Sequence, residues 1–173
     1  RFASRVEDYA KYRPSYPSAV IDRILAEFDD LSNLVAADIG AGTGISSRLL
    51  ADRGIKVIAI EPNAAMSQVA LEHCLVEFYQ GDAENTKLSD ASVDLITCFQ
   101  AFHWFNPATT LKEFARILKP QGKIALVWND RNITGGDKFT REHDRIITKA
   151  SGNSPIHSRL DGKSDLQINS LFS

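Results

Sequence analysis

Val35-Ala36-Ala37-Asp38-Ile39-Gly40-Ala41-Gly42-Thr43-Gly44, with Glu61 at the end of the next apolar run, is the stretch that decides the fold. Val35 to Ile39 is short, apolar and bounded by glycine, as expected of a parallel strand buried on both faces. Gly40, Gly42 and Gly44 fall at alternate positions, where the missing Cβ lets the chain turn sharply and a ligand approach the backbone. Ile45, Leu49 and Leu50 follow at helical spacing, and Gly54 stops the helix. Lys56-Val57-Ile58-Ala59-Ile60 reads as a second strand with Glu61 at its carboxyl end. A carboxylate there accepts two hydrogen bonds from vicinal ribose hydroxyls, strengthened by its charge. The arrangement points to a nucleotide-like cofactor held by its ribose. The plainer alternative is a tight strand-to-helix turn with a solvated glutamate, and the placement of Glu61 weighs against it.

The glycine spacing separates one cofactor from another. A dinucleotide fingerprint wants glycines at first, third and sixth positions, and the sixth position from Gly40 is Ile45. The alternate form Gly40-Ala41-Gly42-Thr43-Gly44, preceded by Asp38, instead resembles motif I of the class I S-adenosylmethionine-dependent methyltransferases. The resemblance continues in family order through Glu61-Pro62-Asn63-Ala64-Ala65-Met66, Gly81-Asp82-Ala83-Glu84, Ala101-Phe102-His103-Trp104-Phe105 and Leu118-Lys119-Pro120-Gln121-Gly122-Lys123. The opening Tyr9-Ala10-Lys11-Tyr12-Arg13-Pro14-Ser15-Tyr16-Pro17 is similar to the small-molecule (type 11) subgroup that includes trans-aconitate methyltransferase-like proteins. The match covers residues 2–132, most of the chain.

The resemblance implies S-adenosylmethionine as cofactor and a small-molecule methyl acceptor. It places Asp38, Gly40, Gly42, Gly44 and Glu61 on the cofactor. It also places Asp82, with Ala83, at the adenine amino group, although an aspartate in a turn is the alternative there. Gln100, ending the fourth strand, falls where family members hold the methionine part. Tyr9, Tyr12 and Arg13 are placed to close over the cofactor, with Tyr12 and Trp104 as acceptor-pocket candidates; a surface arm is the alternative for the first three. Arg13 suits either an acidic acceptor or the cofactor carboxylate. The sulfonium of this cofactor already activates its methyl group, so the protein's task is to align the acceptor and exclude water. If the acceptor must lose a proton, His103 is the candidate general base, because a free imidazole titrates near about 6.5. A structural histidine is the alternative.

Composition bounds these expectations. The chain has 173 residues, enough for one domain with a real core, and 43% of them are hydrophobic. Twenty basic and 22 acidic residues give a net charge of −2, which offers no electrostatic grip on nucleic acid. No apolar run approaches the roughly 20 residues that span a bilayer, and no segment reads as a signal peptide, so a cytoplasmic location is expected. Cys74 and Cys98 are too few for a disulfide framework or a metal site and read as reduced core thiols.

The expected organisation alternates strand and helix without repeats. Ser18 is expected to cap a first helix with Val20, Ile21, Ile24, Leu25 and Phe28 on its apolar face. Strands are expected near 35–39, 56–60, 75–79, 93–98 and 123–128, with helices near 45–53, 64–73 and 107–118. Asn106 and Pro107 start the last of these; Pro120 and Gly122 end it. The result is an α/β, doubly wound, Rossmann-like and mostly parallel sheet, with every quoted motif except the opening one at a carboxyl strand end. Residues 130–173 are polar, with a helical patch near 138–150 and an apolar stretch from Leu166 to Phe172. They do not supply the two further strands that family members carry, so a single domain truncated at its C-terminal end is expected. The uncovered sheet edge then implies self-association. Two other functions stay open: a nicotinamide-dependent oxidoreductase, disfavoured by Ile45, and a non-catalytic module that keeps the cofactor pocket.

Overall fold

The expected apolar runs assemble into a five-stranded parallel sheet with strand order β3-β2-β1-β4-β5. The structure is a computed structural model and describes residues 13–129. In chain order its elements are α1 (Ser18–Leu25), β1 (Val35–Ile39), α2 (Ile45–Ala51), β2 (Lys56–Ile60), α3 (Ala64–Gln68), β3 (Val76–Tyr79), β4 (Val93–Phe99), a 3-10 turn over Phe102–Trp104, α4 (Pro107–Ile117) and β5 (Leu118–Val127). The chain steps outward from β1 to β3, then returns to pair β4 with the other side of β1. Strand order therefore reverses between β1 and β4, and a crevice opens above their carboxyl ends. The glycine loop leaves β1 there, and the segment from Gln100 to Asn106 leaves β4 beside it.

Burial on both faces explains the sequence of the central strands. Ala36 and Ala37 of β1, Leu95 and Ile96 of β4 and Val57 and Ile60 of β2 are all buried. One side is covered by Ile21 and Leu25 of α1 and Leu50 of α2, which join Ile55 and Val57 in one cluster. Each such side chain contributes about 1.5–3 kcal/mol by leaving water. Truncating the fully buried Leu50 to alanine is expected to cost about 2–5 kcal/mol.

Several expectations are corrected. Ser18 is the first helical residue rather than the cap; Pro17 holds that position with φ −58° and ψ 136° and makes no side-chain capping bond. Its fixed ring already sets the entry geometry, so no capping hydroxyl is needed to start the helix. The helix after β1 stops at Ala51 instead of 53. The helix expected near 64–73 stops at Gln68, and Leu71 beyond it is 68% exposed. Without a core face to cover, those residues gain nothing from helical geometry. The last strand starts at Leu118, earlier than expected, but its pairing breaks: Leu118 lies opposite Val93, and the ladder resumes with Lys123 opposite Leu95. Gln121, with φ 67°, takes up the slack in a bulge.

The run Leu118 to Lys123 also lies at the other end of the sheet from the crevice. Helix α4 descends from the carboxyl edge, so the residues after it enter β5 at its amino end. There Lys119 donates to both Asp94 carboxylate oxygens at 3.0 and 2.8 Å, and Asp94 accepts from the Val35 amide at 3.0 Å. This motif anchors strand starts and does not touch a ligand site. The features expected within 130–173 lie outside the described residues, as do Tyr9 and Tyr12. Among the described residues no helix is long and apolar enough to cross a membrane, and no group of three or more His, Cys, Asp or Glu could hold a metal. Cys98 is buried, whereas Cys74 is exposed and is not a core thiol.

Candidate functional site

The glycine loop is shaped by three glycines with different work to do. All have positive φ, at 72° for Gly40, 59° for Gly42 and 71° for Gly44, which other L residues adopt only with strain. A Cβ on Gly40 would lie 2.7 Å from the Ala101 Cβ and 3.1 Å from the Phe105 ring. One on Gly44 would lie 2.7 Å from the Phe78 ring. Those two glycines admit protein neighbours. A Cβ on Gly42 would meet only the Met66 methyl, at 3.5 Å, and Gly42 lines a cavity of about 260 Å³ at the switch point.

The loop is pinned from both sides. The amides of Gly40 and Ala41 donate to the Ile60 carbonyl at 2.9 and 3.1 Å. The Gly42 amide donates to Glu61 Oε2 at 2.8 Å, and Glu61 Oε1 accepts from the Asn63 amide at 2.9 Å. Glu61 is only 8% exposed, yet it lines the cavity. Asn63 in turn caps α3 by accepting from the Ala65 amide at 3.1 Å.

Asp38 lies beneath the loop rather than on the cavity wall. It is fully buried, and its carboxylate accepts from Ser46 Oγ at 2.6 Å, Ser47 Oγ at 2.7 Å and Thr97 Oγ1 at 2.9 Å. Burial pushes its carboxyl above the ordinary range, and the three hydroxyls oppose that shift. The thiol of Cys98 is pushed well above its usual value by burial and by the nearby Asp38 charge. Asp38 therefore fixes the hydroxyl of Ser46, which does line the cavity.

Of the sequence-predicted residues, Arg13, Gly40, Gly42, Glu61, Gln100 and Trp104 are brought together around one cavity. Gln100 takes a left-handed backbone, φ 56°, at the end of β4, and its amide donates to the Val127 carbonyl at 2.8 Å. A non-glycine residue held there marks a site where geometry outweighs local strain. Trp104 is 71% exposed at the mouth. Gly44 and Asp38 support the loop from behind. Asp82 is exposed, and its Oδ1 accepts from the Asn85 amide at 2.8 Å, closing a turn; Ala83 beside it is buried. His103 is half-buried, does not line the cavity, and packs its ring 4.8 Å from that of Trp104.

Sequence reading did not single out Ser46, Met66 or Phe105 as wall residues. Phe105 stood inside the quoted His-Trp-Phe run, and Ser46 is the second residue of the helix after the loop. Met66 ended the quoted run that starts at Glu61, but only the fold, by returning α3 to the loop, shows that it lines the wall.

The wall combines polar and apolar groups. It offers a fixed carboxylate, hydroxyls at Thr43 and Ser46, and apolar surfaces from Met66, Phe99 and Phe105. Among the described lining residues Arg13 is the one basic side chain, which is little for a pyrophosphate.

Comparison with known proteins agrees. A family model described as a methyltransferase domain matches residues 37–126. An uncharacterized methyltransferase of Mycobacterium tuberculosis is 37% identical over 162 residues, which cover 92% of this chain and 63% of that protein. An uncharacterized methyltransferase-like protein of Schizosaccharomyces pombe is 38% identical over 135 residues, 77% of this chain and 53% of its own. A solved structure from Anaeromyxobacter dehalogenans, described as a candidate type II methyltransferase, superposes with a TM-score of 0.73 at 28% identity, covering 86% of this chain and 62% of that one. The chain thus spans between about half and two thirds of the length of these relatives. With the parallel sheet, the glycine loop and the matched domain in agreement, the chain belongs to the class I S-adenosylmethionine-dependent methyltransferases of the type 11 kind.

Proposed function

We propose that this protein transfers a methyl group from S-adenosylmethionine to a small-molecule acceptor. One observation carries the reading: the Glu61 carboxylate, held by the Gly42 and Asn63 amides, faces a cavity into which Gly42 opens without a Cβ. Glu61 would receive the ribose hydroxyls, and the bare backbone at Gly42 would admit the body of the cofactor. Asp82 and Ala83 are assigned to the adenine end. Gln100, Arg13 and Ser46 are assigned to the methionine end, with Asp38 acting through Ser46. Tyr9 and Tyr12 are assigned to closure over the ligand.

The bound cofactor supplies an electrophilic methyl group on a sulfonium. The chain's own contribution is to orient the acceptor and keep water out, which in well-aligned reactions lowers barriers by several kcal/mol. Phe99, Phe105 and Trp104 form the apolar side of the cavity suited to that task. His103 packs its ring against that of Trp104 and is not among the residues that line the cavity, and its role is assigned to holding that ring.

Mass spectrometry of small molecules released from the freshly purified protein tests the reading. S-adenosylmethionine or its demethylated product in near-stoichiometric amount is expected. A nicotinamide dinucleotide in its place would overturn it.

A further inference from the structure

Glu84 joins two segments that arise from strands on opposite sides of β1. It lies in the connection from β3 to β4, and its Oε1 accepts from the Asn106 amide at 2.8 Å and from the Thr110 hydroxyl at 3.2 Å. Asn106 is the cap of α4, and its Oδ1 accepts from the Ala108 and Thr109 amides at 3.2 and 3.5 Å. A capping side chain serves the helix amides and leaves its own amide to be satisfied elsewhere. Glu84 satisfies it with a charged acceptor, which is roughly twice as strong as a neutral one. One turn further along α4 the same connection is held again: the amide and hydroxyl of Thr86 donate to Glu113 Oε1 at 2.8 and 2.6 Å.

The residue before Asn106 is Phe105, a wall of the cavity. Its ring edge lies 3.1 Å from where a Gly40 Cβ would be, and its other side meets Phe102 at 6.0 Å between centroids, 78° between planes. Phe105 is wedged between the glycine loop and the core, so a shift of the Asn106 backbone carries the ring with it.

We propose that Glu84 is a positioning residue, acting through Asn106 and Phe105 to hold the cavity wall against the glycine loop. Glu84 does not line the cavity, so its effect on a ligand is indirect. The inference rests on the cofactor reading above for the identity of that ligand. The sequence Asp82-Ala83-Glu84 then does two things. Its first residues border the adenine end, and Glu84 ties that end to the segment carrying Trp104 and Phe105.

The test uses a Trp128→Phe background, which leaves Trp104 as the sole tryptophan of a chain that has two. Affinity for S-adenosylhomocysteine is measured by calorimetry, and acrylamide quenching of Trp104 is measured without ligand. Glu84→Ala is expected to weaken affinity about tenfold and to change the quenching. Glu84→Gln, whose amide oxygen accepts the same two bonds, is expected to stay within about threefold of the parent. In a Phe105→Ala background Glu84→Ala is expected to cost less than about twofold, since coupled residues are not additive. Should Glu84→Ala not fold, Thr110→Val removes one of the two bonds and is expected to weaken affinity about threefold, again only when Phe105 is present. Unchanged affinity and quenching in Glu84→Ala would overturn the proposal. So would additive losses with Phe105→Ala, or a Glu84→Gln as impaired as Glu84→Ala. A folded parent that does not bind the ligand overturns the cofactor reading instead. The quenching then decides the brace alone, and an unchanged value in Glu84→Ala overturns it.

Discussion

Glu61 and Gly42 are joined by a 2.8 Å hydrogen bond from the Gly42 amide to Oε2, which fastens the end of β2 to the middle of the glycine loop. With Oε1 held by the Asn63 amide, the carboxylate is fixed before any ligand arrives. A preset acceptor lowers the ordering cost of binding. Glu61→Ala is expected to weaken S-adenosylhomocysteine by about 1–3 kcal/mol in calorimetry, with Glu61→Gln intermediate because it keeps one acceptor oxygen. Equal affinities across the three proteins would remove Glu61 from the ligand.

The three loop glycines are expected to separate in a simple experiment. Gly40→Ala pushes a Cβ to 2.7 Å from that of Ala101, which cannot turn aside, so it should lower the melting temperature strongly; Gly44→Ala meets the tip of the Phe78 ring at 2.7 Å and should lower it less. Gly42→Ala strains the backbone too, but its Cβ enters open cavity near Met66. It should cost about 1 kcal/mol of stability and disproportionately more ligand affinity. Melting curves and calorimetry on the three variants check this; the same ratio of stability to affinity loss in all three would contradict it.

That division of labour shows how far the sequence could be read. The strands at 35–39 and 56–60, the loop and Glu61 were legible because each signal is local: an apolar run, a glycine spacing, a carboxylate at a strand end. Asp38 was legible as important but not as buried. What surrounds it includes Thr97, 59 residues away, which only strand pairing of β1 with β4 brings near. Gly44 answers to Phe78 on β3 for the same reason. Lys119 was read with the ligand motifs because sequence order does not say which end of the sheet a loop occupies. Its partner Asp94 settles that at the amino edge.

Acid should loosen the connection that carries Asp82 and Glu84. The Arg116 guanidinium beside Glu113, helped by the Thr86 hydroxyl and amide, holds its carboxyl down from 4.5 to about 2 against the opposing effect of burial. A folded-state value below the unfolded one stabilises at pH above the unfolded value, and the gain is lost as pH falls from 4.5 towards 2. After discounting for the solvent at Arg116, the pair is worth about 1–2 kcal/mol. Denaturation midpoints of wild type and Glu113→Gln should differ at pH 7 and converge near pH 2. Parallel curves across that window would contradict the assignment.

His103 offers a sharper choice about chemistry. Its ring packs on Trp104 and lies off the cavity lining. His103→Ala should therefore leave S-adenosylhomocysteine affinity within about threefold and act on the acceptor mainly through KM. A fall of about a hundredfold in kcat, with a wild-type rate that rises through a neutral pKa, would make His103 the base instead.

The crevice above β1 and β4 is proposed to hold S-adenosylmethionine. Calorimetric titration of the purified protein with S-adenosylhomocysteine and, separately, with NADH tests it most directly. Saturable one-to-one binding of the first, weakened about fivefold or more by Glu61→Ala, with no saturable heat from the second, is the predicted result. Binding of NADH in preference to S-adenosylhomocysteine, or binding of S-adenosylhomocysteine indifferent to Glu61, would contradict it.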